Sequence, residues 1–168
     1  MGCRSLLLPL VALLPAATGG ANDAPLDRAT LRGLKSVSVV LDRLDPELQK
    51  AGLTQADLQS RLESQLKATD VPVDPAASDF VGLRLTAVRG LRGPFAVSLT
   101  VGVYQPVLLV RDKNLRTSTA TWEVETILMA EPKVLRQAAL ESVDELAARL
   151  ATAWKSVNPA ATAAPGPG

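Results

Sequence analysis

Apolar and polar positions alternate along residues 35–44. Val37, Val39 and Leu41 fall on one side, Ser36 and Ser38 on the other, and Val40 is expected to be largely buried as well. A period of two predicts a β-strand, which Asp45-Pro46 stops. The period then lengthens. Leu58, Leu62 and Leu66 recur every four residues while Arg61, Glu63 and Lys67 lie off that stripe, which predicts an amphipathic helix over residues 55–68. Thr54 three residues before Asp57 is its N-cap signal, and Leu53 is placed to staple onto Leu58. A minor strand is expected around Val71 and Val73, confined to an edge because Pro72 has no N–H to donate.

Alternation returns at Val81, Leu83 and Leu85 against Gly82, Arg84 and Thr86, and residues 90–94 turn the chain back. Phe95, Val97, Leu99, Val101 and Val103 then alternate with Ala96, Ser98, Thr100 and Gly102, and the pattern runs on to Val110. A straight strand of that length would measure roughly 53 Å against a usual 20 Å or so, so a bend or bulge is expected at Gln105-Pro106. After a turn at 112–114, residues 118–129 form another strand with Trp122, Val124 and Leu128 inward. Pro132 suits the first position of a second helix reaching Val157, along which Leu135, Ala139, Val143, Leu146, Leu150 and Trp154 step by three and four. Glu141, Glu145, Ala148, Thr152 and Lys155 take its wet face, with Glu145 spaced to pair with Arg149. This order predicts an α+β two-layer sandwich: a mostly antiparallel sheet of four to five strands with two helices on one face. The first strand-helix-strand unit is open to a right-handed parallel crossover, and the pattern leaves strand order undecided.

The ends differ from the middle. Arg4, the apolar run 6–14 and the small residues 16–21 have the form of a signal peptide over residues 1–21. As a helix the run would rise about 13 Å, too short for a hydrocarbon core of roughly 30 Å. Gly19 and Ala21 fit cleavage before Asn22, and Ala17 with Gly19 is the alternative cut. Cys3 precedes the run, so it is not placed as a lipoprotein anchor, and Leu6 stands where myristoylation wants Ser or Thr. Residues 22–33 are expected as a flexible segment, 34–157 as a single domain, and 158–168 as a disordered Pro/Ala/Gly tail. The expected address is the periplasm or the exterior.

Losing the leader would take Cys3 and Arg4, leaving no cysteine and reducing the 18 basic residues to 17 against 17 acidic. Disulfide and zinc-thiolate chemistry are then excluded. There is no histidine, which removes Ser-His-Asp and Cys-His nucleophile systems and histidine metal sites. No catalytic set, cofactor site or metal site is expected, and neutrality argues against a nucleic-acid partner. Lys35 and Ser36, adjacent in a strand, point apart. Glu123 and Glu125 share one strand face about 7 Å apart, a spacing open to a glycosidase pair, but the ordinary reading is a solvated face where they meet Arg84. Asp42, Asp45 and Glu47 fail the ligand spacing of a calcium loop and read as a polar turn. Two basic turns remain, Arg89 with Arg92 and Arg111, Lys113 with Arg116, at opposite ends of the long middle strand. They serve solubility, or contact an anionic envelope component such as phospholipid headgroups.

The succession 34–41, Gly52-Leu53-Thr54 before a leucine helix, residues 95–99, 105–108, Ala120-Thr121-Trp122, and Val143-Asp144 through Trp154 to Asn158-Pro159 resembles a family of uncharacterised exported proteins from environmental bacteria. Its order of elements is also similar to small periplasmic modules such as the amino-terminal domain of TolB-type proteins and the auxiliary lipoproteins of envelope transport systems. The resemblance implies compartment and fold and brings no activity. The expected function is a non-catalytic binding or assembly module of the cell envelope, whose partner is an envelope protein or an anionic envelope surface. The alternatives are a carrier of a lipid or small apolar ligand, and an enzyme of unknown type.

Overall fold

The computed structural model describes residues 23–91 and 93–159. The expected leader, and the tail from residue 160 onward, lie outside the described residues. The elements are α1 (Pro25–Ala29), β1 (Ser38–Leu41), α2 (Pro46–Lys50), α3 (Gln55–Ala68), β2 (Phe80–Arg89), β3 (Phe95–Leu109), β4 (Asp112–Ala130) and α4 (Leu135–Val157). Among the described residues the sheet has four strands in the order β1-β2-β3-β4. β1 runs parallel to β2, Ser38 opposite Phe80 through Leu41 opposite Leu83. Both remaining pairs are antiparallel. A parallel neighbour requires a crossover, and α3 lies within that connection. The α+β two-layer architecture is as the hydrophobic pattern predicts.

The predicted leucine helix forms over the expected span, with the Thr54 hydroxyl accepting from the Asp57 N–H at 3.1 Å. Leu58, Leu62 and Leu66 are fully buried. They share one core with Val81 and Leu83 of β2, Val97 to Val103 of β3 at every second position, Trp122 and Val124 of β4, and the α4 stripe from Leu135 to Trp154. Each such side chain contributes roughly 1.5–3 kcal/mol by leaving water. Ion pairs tie α3 and the turn after it to α4: Arg136 to Asp57 at 3.0 Å, Arg61 to Asp144 at 2.5 Å, and, past the end of α3, Lys155 to Asp70 at 3.5 Å. Residue numbers rise together across these pairs, so α3 and α4 run side by side in the same sense. Exposed pairs like these add little stability beside the buried leucines that pack the two helices.

Several boundaries differ from expectation. The first strand contracts to Ser38–Leu41, and Val40 is 45% exposed because its side of β1 faces away from the helices. The Asp45-Pro46 stop begins a second, short helix. The Asp45 side chain accepts from the Glu47 N–H at 2.7 Å and Pro46 sits where no N–H is needed. The strand expected near Val73 reduces to one bridge with Val37. Pro132 is not the first residue of α4. It lies in a turn closed by the Val134 and Leu135 N–H groups on the Glu131 carbonyl, and the helix starts at Leu135. Arg149 donates to the Glu125 carbonyl at 3.3 Å rather than pairing with Glu145. The expected break at Gln105-Pro106 is displaced as well. β3 continues through those residues opposite Thr119 and Ser118, and the irregularity lies on β4, where Thr121 is the extra residue between the Val103–Trp122 and Tyr104–Ala120 pairs. A bulge on the partner strand absorbs the twist that β3 would otherwise need a bend to relieve.

The largest departure is the segment expected to be flexible. Residues 23–33 carry α1 and a turn, and Leu31 is fully buried in the common core. Asp23 receives the Trp122 indole N–H at 2.8 Å and both Arg28 donors at 2.7 Å. The Thr30 hydroxyl lies between two carbonyls, that of Asp27 at 2.6 Å and that of the bulged Thr121 at 3.2 Å. Asn158, expected in the disordered tail, closes the other side: its amide donates to the Leu31 carbonyl at 2.9 Å and its oxygen accepts from the Gly33 N–H at 2.8 Å.

The bond from Arg28 holds the Asp23 carboxyl below the ordinary 3.8, with the Trp122 N–H assisting and burial opposing. A depressed carboxyl stabilises the fold above its unfolded pKa, and that contribution is lost as pH falls through the folded value. Asp23→Asn should therefore lower the urea midpoint at neutral pH, and the gap from wild type should close as pH falls below the ordinary carboxylate range. A gap independent of pH would show that the charge on Asp23 is not what matters.

Candidate functional site

The helices cover one face of the sheet and leave the other bare. On that outer face Phe80 and Tyr104 stand opposite each other with ring centroids 4.9 Å apart and planes 3° from parallel. Tyr104 presses onto the neighbouring backbone: a Cβ at Gly82 would lie 2.7 Å from its Cε2, and one at Gly102 would lie 3.2 Å away. The two glycines are there because the ring occupies the space a side chain would need. Beside the ring, Arg84 reaches Glu123 at 3.6 Å, and the Ser98 hydroxyl donates to the Glu125 carboxylate. Both carboxylates of the expected pair thus sit on the outer face against Arg84 and Ser98, the ordinary arrangement. At the far end of this face Val88, Ile127 and Met129 are exposed.

Asp42, Asp45 and Glu47 do not converge on a common point as a metal site. Asp45 caps α2 and Glu47 pairs with Lys50 at 2.7 Å. Among the described residues no group of three or more carboxylates could hold a metal ion.

The five basic candidates separate. Arg89 donates to the Gly93 carbonyl at 3.1 Å and lays its guanidinium 4.8 Å from the centre of the buried Phe95 ring, so it closes the β2–β3 turn and roofs the end of the core. It also borders an open hollow of about 420 Å³, with Asp45, Glu47 and Leu91 on the other walls. Arg92 lies outside the described residues. Arg111, Lys113 and Arg116 are brought together at the opposite end of β3, because Arg89 pairs with the first residue of that strand and Asp112 with the last.

What the residue pattern did not reveal is the shape that carries those three cations. β2 ends its pairing at Phe80 opposite Tyr104, so residues 105–109 of β3 and 112–119 of β4 have only each other. They leave the sheet as a two-stranded ribbon whose β3 half extends about 17 Å. Every residue from 111 to 119 is exposed. Leu108 pairs with Arg116 and Leu109 with Asp112, which leaves Lys113, Asn114 and Leu115 as an extra loop. The Asn114 N–H on the Asp112 carboxylate at 3.0 Å shapes it. The unbroken apolar run Val107-Leu108-Leu109-Val110 was the available signal, since a strand with one wet face should alternate there.

The fold and this surface define an α+β two-layer domain with a cationic β-arm. No family model matches the chain, and no curated protein matches it; the expected TolB-type likeness therefore has no family match behind it. Among solved structures the chain is similar to a PelC dodecamer from Paraburkholderia phytofirmans, at 15% identity and a TM-score of 0.41 over 69% of this chain and 85% of that one. It is also similar to a minor lipoprotein from Acinetobacter baumannii, at 15% identity and a TM-score of 0.31 over 70% of this chain and 90% of that one. Superpositions this loose fix neither a family nor a function. Among the described residues no helix is long and apolar enough to cross a membrane.

Proposed function

We propose that the chain is an exported, non-catalytic binding or assembly module of the bacterial envelope, and that it acts by surface contact. The observation that carries this reading is the arm. Residues 105–119 extend past the start of β2 and bear Arg111, Lys113 and Arg116 in a stretch where every residue from 111 to 119 is exposed. A two-stranded ribbon is marginal in water by itself, so a ribbon held out from a well-packed domain is placed to meet something else. The partner is an envelope protein or an anionic envelope surface. The described hollows are open to solvent and each has charged residues on its walls, which favours contact over the alternative of a carrier that encloses an apolar ligand.

Crosslinking in intact cells tests the reading. Glutamate at Arg111, Lys113 and Arg116 together should remove the crosslinked species, whereas Arg89→Glu, at the far end of β3, should leave them in place. An unchanged set of species with the arm reversed in charge would reject the arm as the contact, and a substrate turned over by the purified chain would reject the class.

A further inference from the structure

We infer that the tip of the arm inserts its apolar side chains into the interface of an anionic lipid bilayer. This rests on the proposed contact role of the arm and names the partner. The distribution of apolar residues carries it. A strand that docks one face against a protein keeps the other face polar. Here Val107 and Leu109, both half-buried, lie on the helix-side face of the ribbon, Leu108 lies on the outer face, and Val110 stands in the turn at 95% exposure. Leu115, in the extra loop, is 49% exposed and Leu108 52%. Apolar groups on both faces and at the turn suit a medium that surrounds the tip, and a groove that meets one side does not explain them.

The charges lie where such a medium would need them. Arg111 in the turn, Lys113 in the extra loop and Arg116 opposite Leu108 flank the apolar tip, with a single carboxylate, Asp112, among them. Over residues 105–119 that leaves two net positive charges in a chain whose overall formal charge is +1. Long cationic side chains at the level of lipid headgroups can pair with phosphate while the leucines and valines reach the acyl boundary below. Insertion need go no deeper than the turn. The ribbon's edge N–H and C=O groups then stay in the hydrated headgroup layer, and no unpaired backbone is forced into hydrocarbon. Near the body of the domain the backbone of β4 is instead met by protein, Thr30 taking the Thr121 carbonyl and Arg149 the Glu125 carbonyl.

Vesicle sedimentation with the purified chain decides it, comparing phosphatidylglycerol-containing vesicles with phosphatidylcholine alone. Wild type should bind the anionic vesicles and bind the neutral ones far less. Leu108→Ser, Val110→Ser and Leu115→Ser together should abolish binding while melting stays unchanged, since all three side chains are exposed. Serine at Arg111, Lys113 and Arg116 should weaken binding on the order of a hundredfold, each cation near an anionic surface being worth roughly a factor of five. A tryptophan at Val110 should shift its emission to the blue on adding anionic vesicles. Failure of wild type to bind, or retention of binding by the serine-tip variant, would overturn the inference. Cell crosslinks to a protein that need the three cations, without vesicle binding, would also overturn it and leave the contact role of the arm standing. Loss of both would remove the two together.

Discussion

Trp122→Ala should destabilise the protein by about 3 to 5 kcal/mol, read as a shift of the urea midpoint at constant slope. Trp122 is fully buried at the centre of the last strand. Its removal leaves a large cavity between the sheet and the helices and takes away the donor that Asp23 accepts at 2.8 Å. A domain of this kind has only about 5 to 15 kcal/mol in all, so the variant should be partly unfolded at moderate temperature. Trp122→Phe separates the two contributions, keeping most of the apolar area and losing the N–H bond to the Asp23 carboxylate, at about 1.5 to 3 kcal/mol plus the shape mismatch. A Trp122→Ala cost below about 1 kcal/mol would show that the core closes over the space and that this site does not hold the layers together.

Leu31→Ala should cost about 2 to 5 kcal/mol, although it lies in a stretch with no periodic pattern around it. Leu31 is fully buried, and its carbonyl takes the Asn158 amide at 2.9 Å, so the residue joins the beginning and the end of the described chain. The same substitution in a mobile segment would leave stability unchanged within about 0.5 kcal/mol, which makes denaturant unfolding of this one variant decisive. If the segment docks as described, amide exchange around Leu31 should slow along with the core, and rapid exchange there would contradict it.

The two expectations expose different kinds of information. Trp122 and the stripe Leu58, Leu62 and Leu66 were legible because a buried face imposes a spacing on the sequence, two in a strand and near four in a helix. Leu31 carries no such spacing. Its burial comes from a short helix laid against α4 and β4, and one leucine among polar residues looks the same whether it is docked or loose. The bulge likewise lies on β4, the strand whose sequence does not mark it. Excess length in β3 is visible in the sequence, but which of two paired strands takes the extra residue depends on their register, and Thr121 has no marking of its own.

The candidate surface divides along the same line. In sequence Arg89, Arg111, Lys113 and Arg116 are alike, charged residues at or near turns. Only the folded chain assigns Arg89 to its own turn and to the Phe95 ring, and holds the other three out on a ribbon. The difference is a matter of where β2 starts relative to β3. Had it begun five residues earlier in the same register, residues 105–109 would have been an interior strand and their apolar run ordinary core.

By itself the sequence determined the class of fold, the two long helices, the inward face of each long strand and the absence of histidine chemistry, because periodicity and composition are local properties of a chain. The tertiary structure alone decided the strand order with its one parallel pair, the docking of residues 23–33, the site of the bulge and the projecting arm. Each of these is a contact between segments far apart in sequence, and its energy depends on the area the partners bury together, which neither partner's residues encode alone.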